Sequence, residues 1–324
     1  MTYSSGGLIQ ATDYNGFVST TAGANVNATW NSTYNQTALA TVAAAGTVSA
    51  TQWSTLNTTI AAMGNHQPTT ITSRAGPTAG STIAIQSALN TDITNCYNNR
   101  YNAYAVGAQY TSWTGTASQT AVTGHAASTW TITFTDTVTF ASTAAATAFF
   151  GAGGLVKTQF SKTSTGFPAD AEWNDLAGTL CGAIWLSSTA AAKTIAGTSY
   201  TGITKIGGTG SPTTLSTGTG YAQLTTTPVQ VYQQFADTAP YTGEYIEVLM
   251  STTATVLTIT TNWYSPARAV PGTSNEISGG TATTGITFGT APTTVVTYYP
   301  PETTYLSNTW GTPTVASSVS APVY

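Results

Sequence analysis

Phe149-Phe150-Gly151-Ala152-Gly153-Gly154-Leu155-Val156-Lys157-Thr158-Gln159-Phe160 joins two aromatics to a glycine cluster, and the cluster to a strand-like run. Glycine accepts positive φ and close backbone approach, so the chain can reverse sharply here. On the C-terminal side, Pro168 stands where a first helical residue belongs, and Asp170 and Glu172 follow where the helix dipole favours acids. Trp173, Leu176, Leu180 and Ile184 fall on one stripe, which predicts a helix from Pro168 to about Ile184 that covers a sheet. On the N-terminal side, Thr129-Trp130-Thr131-Ile132-Thr133-Phe134-Thr135 alternates without a fault, and Val138 and Phe140 keep the same parity. A three-residue loop, Thr135-Asp136-Thr137, would pair Phe134 with Val138 and keep one face apolar; a single long strand is the alternative. Either way the pattern is that of antiparallel sheet with one face wet or covered by a partner.

Further outward, residues 1 to 108 read as helical. Thr12-Asp13 can cap a helix carrying Tyr14, Phe17 and Val18. Ser49 followed by Gln52 is a capping-box pattern, and Trp53, Leu56, Ile60 and Met63 lie on one helical face behind it. Gly64-Asn65-His66-Gln67-Pro68 then ends that helix. Ser81-Thr82 opens a third, bearing Ile85, Leu89, Ile93, Cys96, Arg100 and Tyr104. These stripes each need a covering partner, and a segment of about 100 residues with so thin a core is marginal by itself. Beyond the Pro168 helix, Gly- and Thr-rich turns run to Gly220. Strands are predicted at Tyr221–Leu224, Val229–Phe235, Tyr245–Met250 and Val256–Tyr264, the last three as a meander. Ile286, Phe288, Val295 and Val296 suggest one more hairpin. Pro300 to Tyr324 reads as an extended tail that wraps a neighbour or frays. The expectation is therefore an α+β chain: a helical segment 1–108 for attachment or oligomerisation, a mainly antiparallel, sandwich-like β body 109–265 with one covering helix at 168–184, and an irregular extension and tail 266–324.

Only 6% of the 324 residues are charged, against about 25% in an ordinary soluble domain, and the net charge is −4. No basic block suggests nucleic acid, and no apolar run approaches the ~18–20 residues of a membrane span. The opening Met1-Thr2-Tyr3-Ser4-Ser5-Gly6 lacks the basic and apolar regions of a secretory signal. The glycosylation-type tripeptides at Asn27, Asn31, Asn35 and Asn57 accordingly read as products of composition. Eight Trp, 17 Tyr and nine Phe supply core anchors, which argues against disorder. An uncharged, hydroxyl-rich surface suits a protein packed against copies of itself, because a buried hydroxyl needs one partner while a buried unpaired charge costs far more.

The opening Tyr3–Asn15, the Thr51-Gln52-Trp53 helix and Asn65-His66-Gln67 resemble virion structural proteins of tailed phages, notably marine and cyanobacterial ones. Phe150-Gly151-Ala152-Gly153-Gly154, Trp173-Asn174-Asp175-Leu176, Gly220-Tyr221-Ala222-Gln223-Leu224-Thr225 and the pairing of Tyr245-Ile246 with Leu257-Thr258-Ile259 extend the resemblance to about residue 265. It implies a multi-copy, non-enzymatic structural component of the virion, attached to tail, neck or baseplate in the manner of a fibre and made in the host cytoplasm. Its expected partners are copies of itself and other tail, neck or capsid proteins. The alternatives are a receptor- or glycan-binding fibre or spike module that contacts a host surface glycan, and a capsid decoration protein. The resemblance brings no catalytic residues. The charge-poor strands and the tail after Pro300 depart from the group.

The residues themselves point to no catalytic, cofactor-binding or metal site. His66 and His125, the two histidines, read as loop hydrogen-bonders rather than as an oriented catalytic His. Two Cys and two His at unrelated spacings match no zinc pattern. No glycine precedes a lysine as in a P-loop, and Val156 breaks the G-x-G-x-x-G fingerprint. Asp170, Glu172 and Asp175 could be glycosidase carboxylates, but the helix dipole accounts for the first two more simply. Glu244 and Glu247 fall on opposite faces of a strand. Cys96 and Cys181 read as buried free thiols, with a disulfide between them as the alternative.

Overall fold

The alternating stretch is one long strand. The structure is a computed structural model and describes residues 11–19, 23–74, 86–117, 129–164, 168–266 and 290–320. Helices α1 (Ala11–Val18), α2 (Val26–Trp30), α3 (Ala50–His66) and α4 (Gln86–Asn98) lead to strand β1 (Tyr110–Thr116) and to β2 (Trp130–Thr139). The hairpin at Thr135-Asp136-Thr137 does not form, because distant segments take both edges of β2. Strand β11 (Val256–Ser265) pairs along its whole length, from Thr139↔Val256 to Trp130↔Ser265. Strand β13 (Thr314–Val319) pairs on the other edge, from Thr139↔Thr314 to Phe134↔Val319. Trp130, Ile132, Phe134 and Val138 point into the core, and Asp136 shares their parity and is buried with them.

Helix α5 (Thr143–Gly151) follows, capped by the Ser142 hydroxyl, which accepts from the Ala145 N–H at 3.1 Å. No period in the sequence announced it: Ala145, Ala146, Ala148, Phe149 and Phe150 are buried, and the exposed side is only Thr143, Ala144 and Thr147, so the two faces differ little in polarity. The glycine cluster is its C-terminal cap. Gly154 N–H donates to the Phe149 carbonyl and Gly153 N–H to that of Phe150, with Gly153 at φ +94°, which is the Schellman arrangement. The chain then enters β3 (Leu155–Ser161).

The covering helix is shorter than its stripe suggested. Helix α6 (Pro168–Asp175) passes into a π-helical turn, Leu176–Leu180, and Gly182 at φ +69° ends it. A Cβ at Gly182 would stand 2.3 Å from the Gly207 carbonyl oxygen. Ile184 therefore belongs to a strand, β4 (Ala183–Leu186), not to the helix. The Gly/Thr-rich stretch read as turns contains further short strands: β5 (Lys193–Ile195), β6 (Thr198–Tyr200), β7 (Ile203–Ile206) and β8 (Thr214–Leu215). Tyr221–Leu224 is not a strand; Tyr221–Gln223 is a 3₁₀ turn, with Tyr221 stacked on Phe150 at 4.2 Å. Strands β9 (Val229–Phe235), β10 (Tyr245–Thr252) and β11 form the expected meander. Val295 and Val296 lie in β12 (Thr293–Tyr299), between β1 and β3; Ile286 and Phe288, the rest of the expected hairpin, lie outside the described residues.

The chain is α+β. Its antiparallel sheets run β1-β12-β3-β4-β7 and β13-β2-β11-β10-β9-β8, with β5-β6 a separate hairpin. The two large sheets meet through Phe160 of β3, whose ring lies 6.3 Å from Tyr232 of β9 and 6.5 Å from Trp263 of β11. Trp173 of α6 stacks on Trp263 at 5.5 Å and meets Trp130 at 5.3 Å, so the helix covers the inner face of the longer sheet. Leu176 and Leu180 are buried in the same cluster.

The N-terminal stripes find their cover within the chain. Tyr14 and Phe17 pack on Trp53, and the expected capping box of Ser49 and Gln52 is present. Thr12 and Asp13 lie inside α1 rather than capping it, and α3 runs on through His66. The start predicted for α4 at Ser81-Thr82 lies outside the described residues. The helix ends at Asn98, so Arg100 and Tyr104 fall beyond it. Arg100 folds over the rings of Tyr97 and Tyr101, and Tyr104 N–H donates to the His66 carbonyl. Gln36 reaches the C-terminal extension, donating to the Ser307 carbonyl at 2.9 Å. That extension is extended, as expected, but it runs back over its own chain: Leu306 and Trp310 are buried, and β13 adds a strand to the longer sheet. Trp310 supplies the burial that holds it there.

Candidate functional site

Where the C-terminal extension crosses the start of β1, the two leave a groove of about 220 Å³ lined by Tyr110, Tyr298, Pro300, Glu302, Asn308 and Trp310 among others. Gly107 N–H donates to the Pro300 carbonyl at 2.8 Å, and Val106 bridges Pro301, which ties the extension to the approach to β1. Tyr110 pairs with Tyr298 across β1 and β12 and lies flat on it, at 5.5 Å and 13°. Tyr298 is buried, while Tyr110 is 45% exposed, so the pair turns one aromatic face outward. Burial, and then the neighbouring Tyr110, push the Tyr298 hydroxyl up to about 12, so it stays protonated at neutral pH. Around the ring, the Glu302 carboxylate accepts from the Thr304 N–H and hydroxyl, and Asn308 Oδ1 accepts from the Gly311 N–H. A flat ring beside amide and carboxylate groups can hold a planar, hydroxylated ligand by stacking and hydrogen bonding. Tyr110 and Tyr298 stand 188 positions apart, so no local pattern could have joined them.

The structure scatters the residues weighed as chemical candidates. His66 is buried at the end of α3, and its Nε2 lies 3.1 Å from the Ala152 carbonyl oxygen. A carbonyl only accepts, so Nε2 carries a hydrogen. Burial holds its pKa down at about 4, with the Ala152 bond and Glu302 opposing. His125 lies outside the described residues. Cys96 and Cys181 are free and buried, and burial pushes each thiol up to about 12. Asp170 is held by Lys162 in a buried ion pair, which joins the end of β3 to the first turn of α6; no local pattern pointed to that partner, eight residues before it. Glu172 and Asp175 are met instead by Asp237, which follows β9. Glu244 is buried just before β10, with Ser265 donating to it, and Glu247 takes Gln230 and Asn262 on that strand.

Charge is placed unusually. Of the seven basic and eleven acidic residues, Asp13, Asp92, Asp136, Lys162, Asp170, Glu172, Lys193 and Glu244 are buried. Among the described residues, Asp237 is the one exposed charged side chain; the remaining seven are half-buried. No described helix is long and apolar enough to cross a membrane. Set against protein-family models, curated protein sequences and solved structures, the chain matches none.

Proposed function

We propose that this chain is a non-enzymatic structural component of a tailed-phage virion, present in many copies and attached to tail, neck or baseplate in the manner of a fibre. The observation that carries the reading is how few of the described surface side chains are charged. Net charge and its repulsion keep freely dissolved proteins apart, whereas this exterior of Thr, Ser, Gly, Ala and Asn offers little to oppose close approach by a copy. Hydroxyls and amides desolve at low cost once each finds one hydrogen bond across an interface. The sandwich, with its extension laced back over the body, supplies a rigid unit for such stacking. Residues 1–108 attach the subunit in this reading, and the β body projects or packs laterally. Sedimentation of the purified chain over a concentration range tests the assembly. Discrete homo-oligomers are expected; a compact monomer at the highest concentration, together with particle density free of self-contacts, would sink the reading.

A second reading, a module that binds host surface glycan, is favoured by one observation, the exposed face of Tyr110 over the groove. A hexopyranose ring presents an apolar face to such a platform. Tyr110→Ala should abolish retention on host polysaccharide without changing the melting temperature; equal retention by the variant excludes the groove.

A further inference from the structure

We propose that Glu172, Asp175 and Asp237 form a binding site for a hard divalent cation of the calcium class, which ties α6 to the loop after β9. Glu172 and Asp175 stand three apart on α6 and so share a face. Asp237 arrives from the far end of β9, 62 positions beyond Asp175. One carboxylate oxygen from each lies within 4.8 Å of the others. Oxygens bound to one calcium ion at about 2.3–2.6 Å can stand up to ~5 Å apart, so the spacing fits a single ion. The donor set is oxygen alone, which selects hard cations over those preferring imidazole or thiolate.

A second observation points to a ligand independently of the clustering. Glu172 is only 6% exposed, yet its Oε1 is buried with no hydrogen-bond partner. Leaving a desolvated carboxylate oxygen unpaired is costly, and such a group ordinarily finds a donor or a metal. No lysine or arginine answers it: among the described residues the ion pairs are Arg74–Asp92 and Lys162–Asp170. Burial raises the Glu172 carboxyl; Thr238 leans toward it and offsets part of the shift without closing a well-formed hydrogen bond, and Asp237 and Asp175 add to the rise. A cation would turn the repulsion among three carboxylates into attraction. Asp175 is half-buried and Asp237 exposed, so water can fill the remaining positions from the solvent side. The same site gives a reason for the one exposed charged side chain among the described residues.

The test is calorimetric titration of the chelator-stripped full chain with calcium chloride, alongside terbium luminescence excited through tryptophan, since Trp173 adjoins Glu172. One site per chain is expected, with Kd on the order of 10⁻⁵–10⁻³ M, at least tenfold weaker magnesium binding, and a calcium-dependent rise in melting temperature. Glu172→Gln and Asp237→Asn should each weaken calcium binding at least tenfold. Asp237 is exposed, so Asp237→Asn keeps the test valid if Glu172→Gln misfolds. Absence of calcium heat and terbium signal in the wild-type chain at millimolar ion would overturn the site. So would wild-type affinity in Asp237→Asn, and equal affinity for magnesium would overturn the calcium assignment.

Discussion

Asp136→Asn is the most informative single substitution in this chain. Asp136 sits on the core-facing side of β2 among Phe134 and Val138, fully buried. Burial raises its carboxyl from 3.8 to about 6; the Ser317 hydroxyl and Trp113 indole lean toward it and offset part of the shift, without closing well-formed hydrogen bonds. A carboxyl whose folded pKa is raised favours the folded state below its unfolded pKa, and that stability is lost as pH climbs from about 3.8 through about 6. A shift of this size is worth about 3 kcal/mol. His66 works the other way in the same window. Its folded pKa is depressed from 6.5 to about 4, so its contribution is present above pH 6.5 and is lost as pH falls toward 4, again by about 3 kcal/mol. The two nearly cancel in the wild-type chain, whose own pH profile is therefore a poor witness. The difference between variant and wild type isolates Asp136, because asparagine keeps the shape and cannot ionise. Urea unfolding at intervals from pH 4 to pH 7.5 should show the stability of Asp136→Asn gaining on wild type by about 2–3 kcal/mol across that range. A difference that does not vary with pH, or one that moves against the variant as pH rises, would refute the reasoning.

Trp173→Ala removes the ring stacked between Trp130 and Trp263 and should cost about 3–5 kcal/mol; an unchanged melting temperature would refute the packing. Asp170→Asn strands Lys162 in the interior and should cost about 3–5 kcal/mol by chemical denaturation, while Lys162→Met combined with Asp170→Leu should recover much of the loss. Cys96 and Cys181 should resist a thiol-specific reagent in the native chain and react at two thiols per chain in denaturant; rapid native labelling would contradict their burial.

What was legible in the sequence was whatever repeats with a period. The alternation around Trp130–Phe134, the Trp53 stripe with its capping box, and the meander of β9 to β11 all came from local patterns that tertiary contacts then kept. Helix α5 escaped because its exposed side, Thr143, Ala144 and Thr147, contrasts too little with its Ala-rich buried side to show a period. Strands β5 to β8 escaped because they are two to four residues long and Thr-containing, too short for alternation to register, and β4 because Ile184 continued the helical stripe. Asp136 between two threonines looked like a turn residue, since Asp is ordinarily excluded from a strand interior. Only the arrival of β11 and β13 on the two edges of β2 shows otherwise. The groove and the carboxylate group were beyond local reading for the same reason. Tyr110 meets Tyr298, and Glu172 meets Asp237, through sheet topology rather than spacing.

The central claim, that the chain is a multi-copy structural component of a virion, is tested most directly by counting it there. Quantitative mass spectrometry of gradient-purified particles, produced from the genome that encodes the chain, gives its copy number relative to the other particle proteins. The account expects several copies per particle that persist through salt washes, as an uncharged, tightly packed interface should. Particles that are complete and infective with no detectable copy of the chain would contradict it.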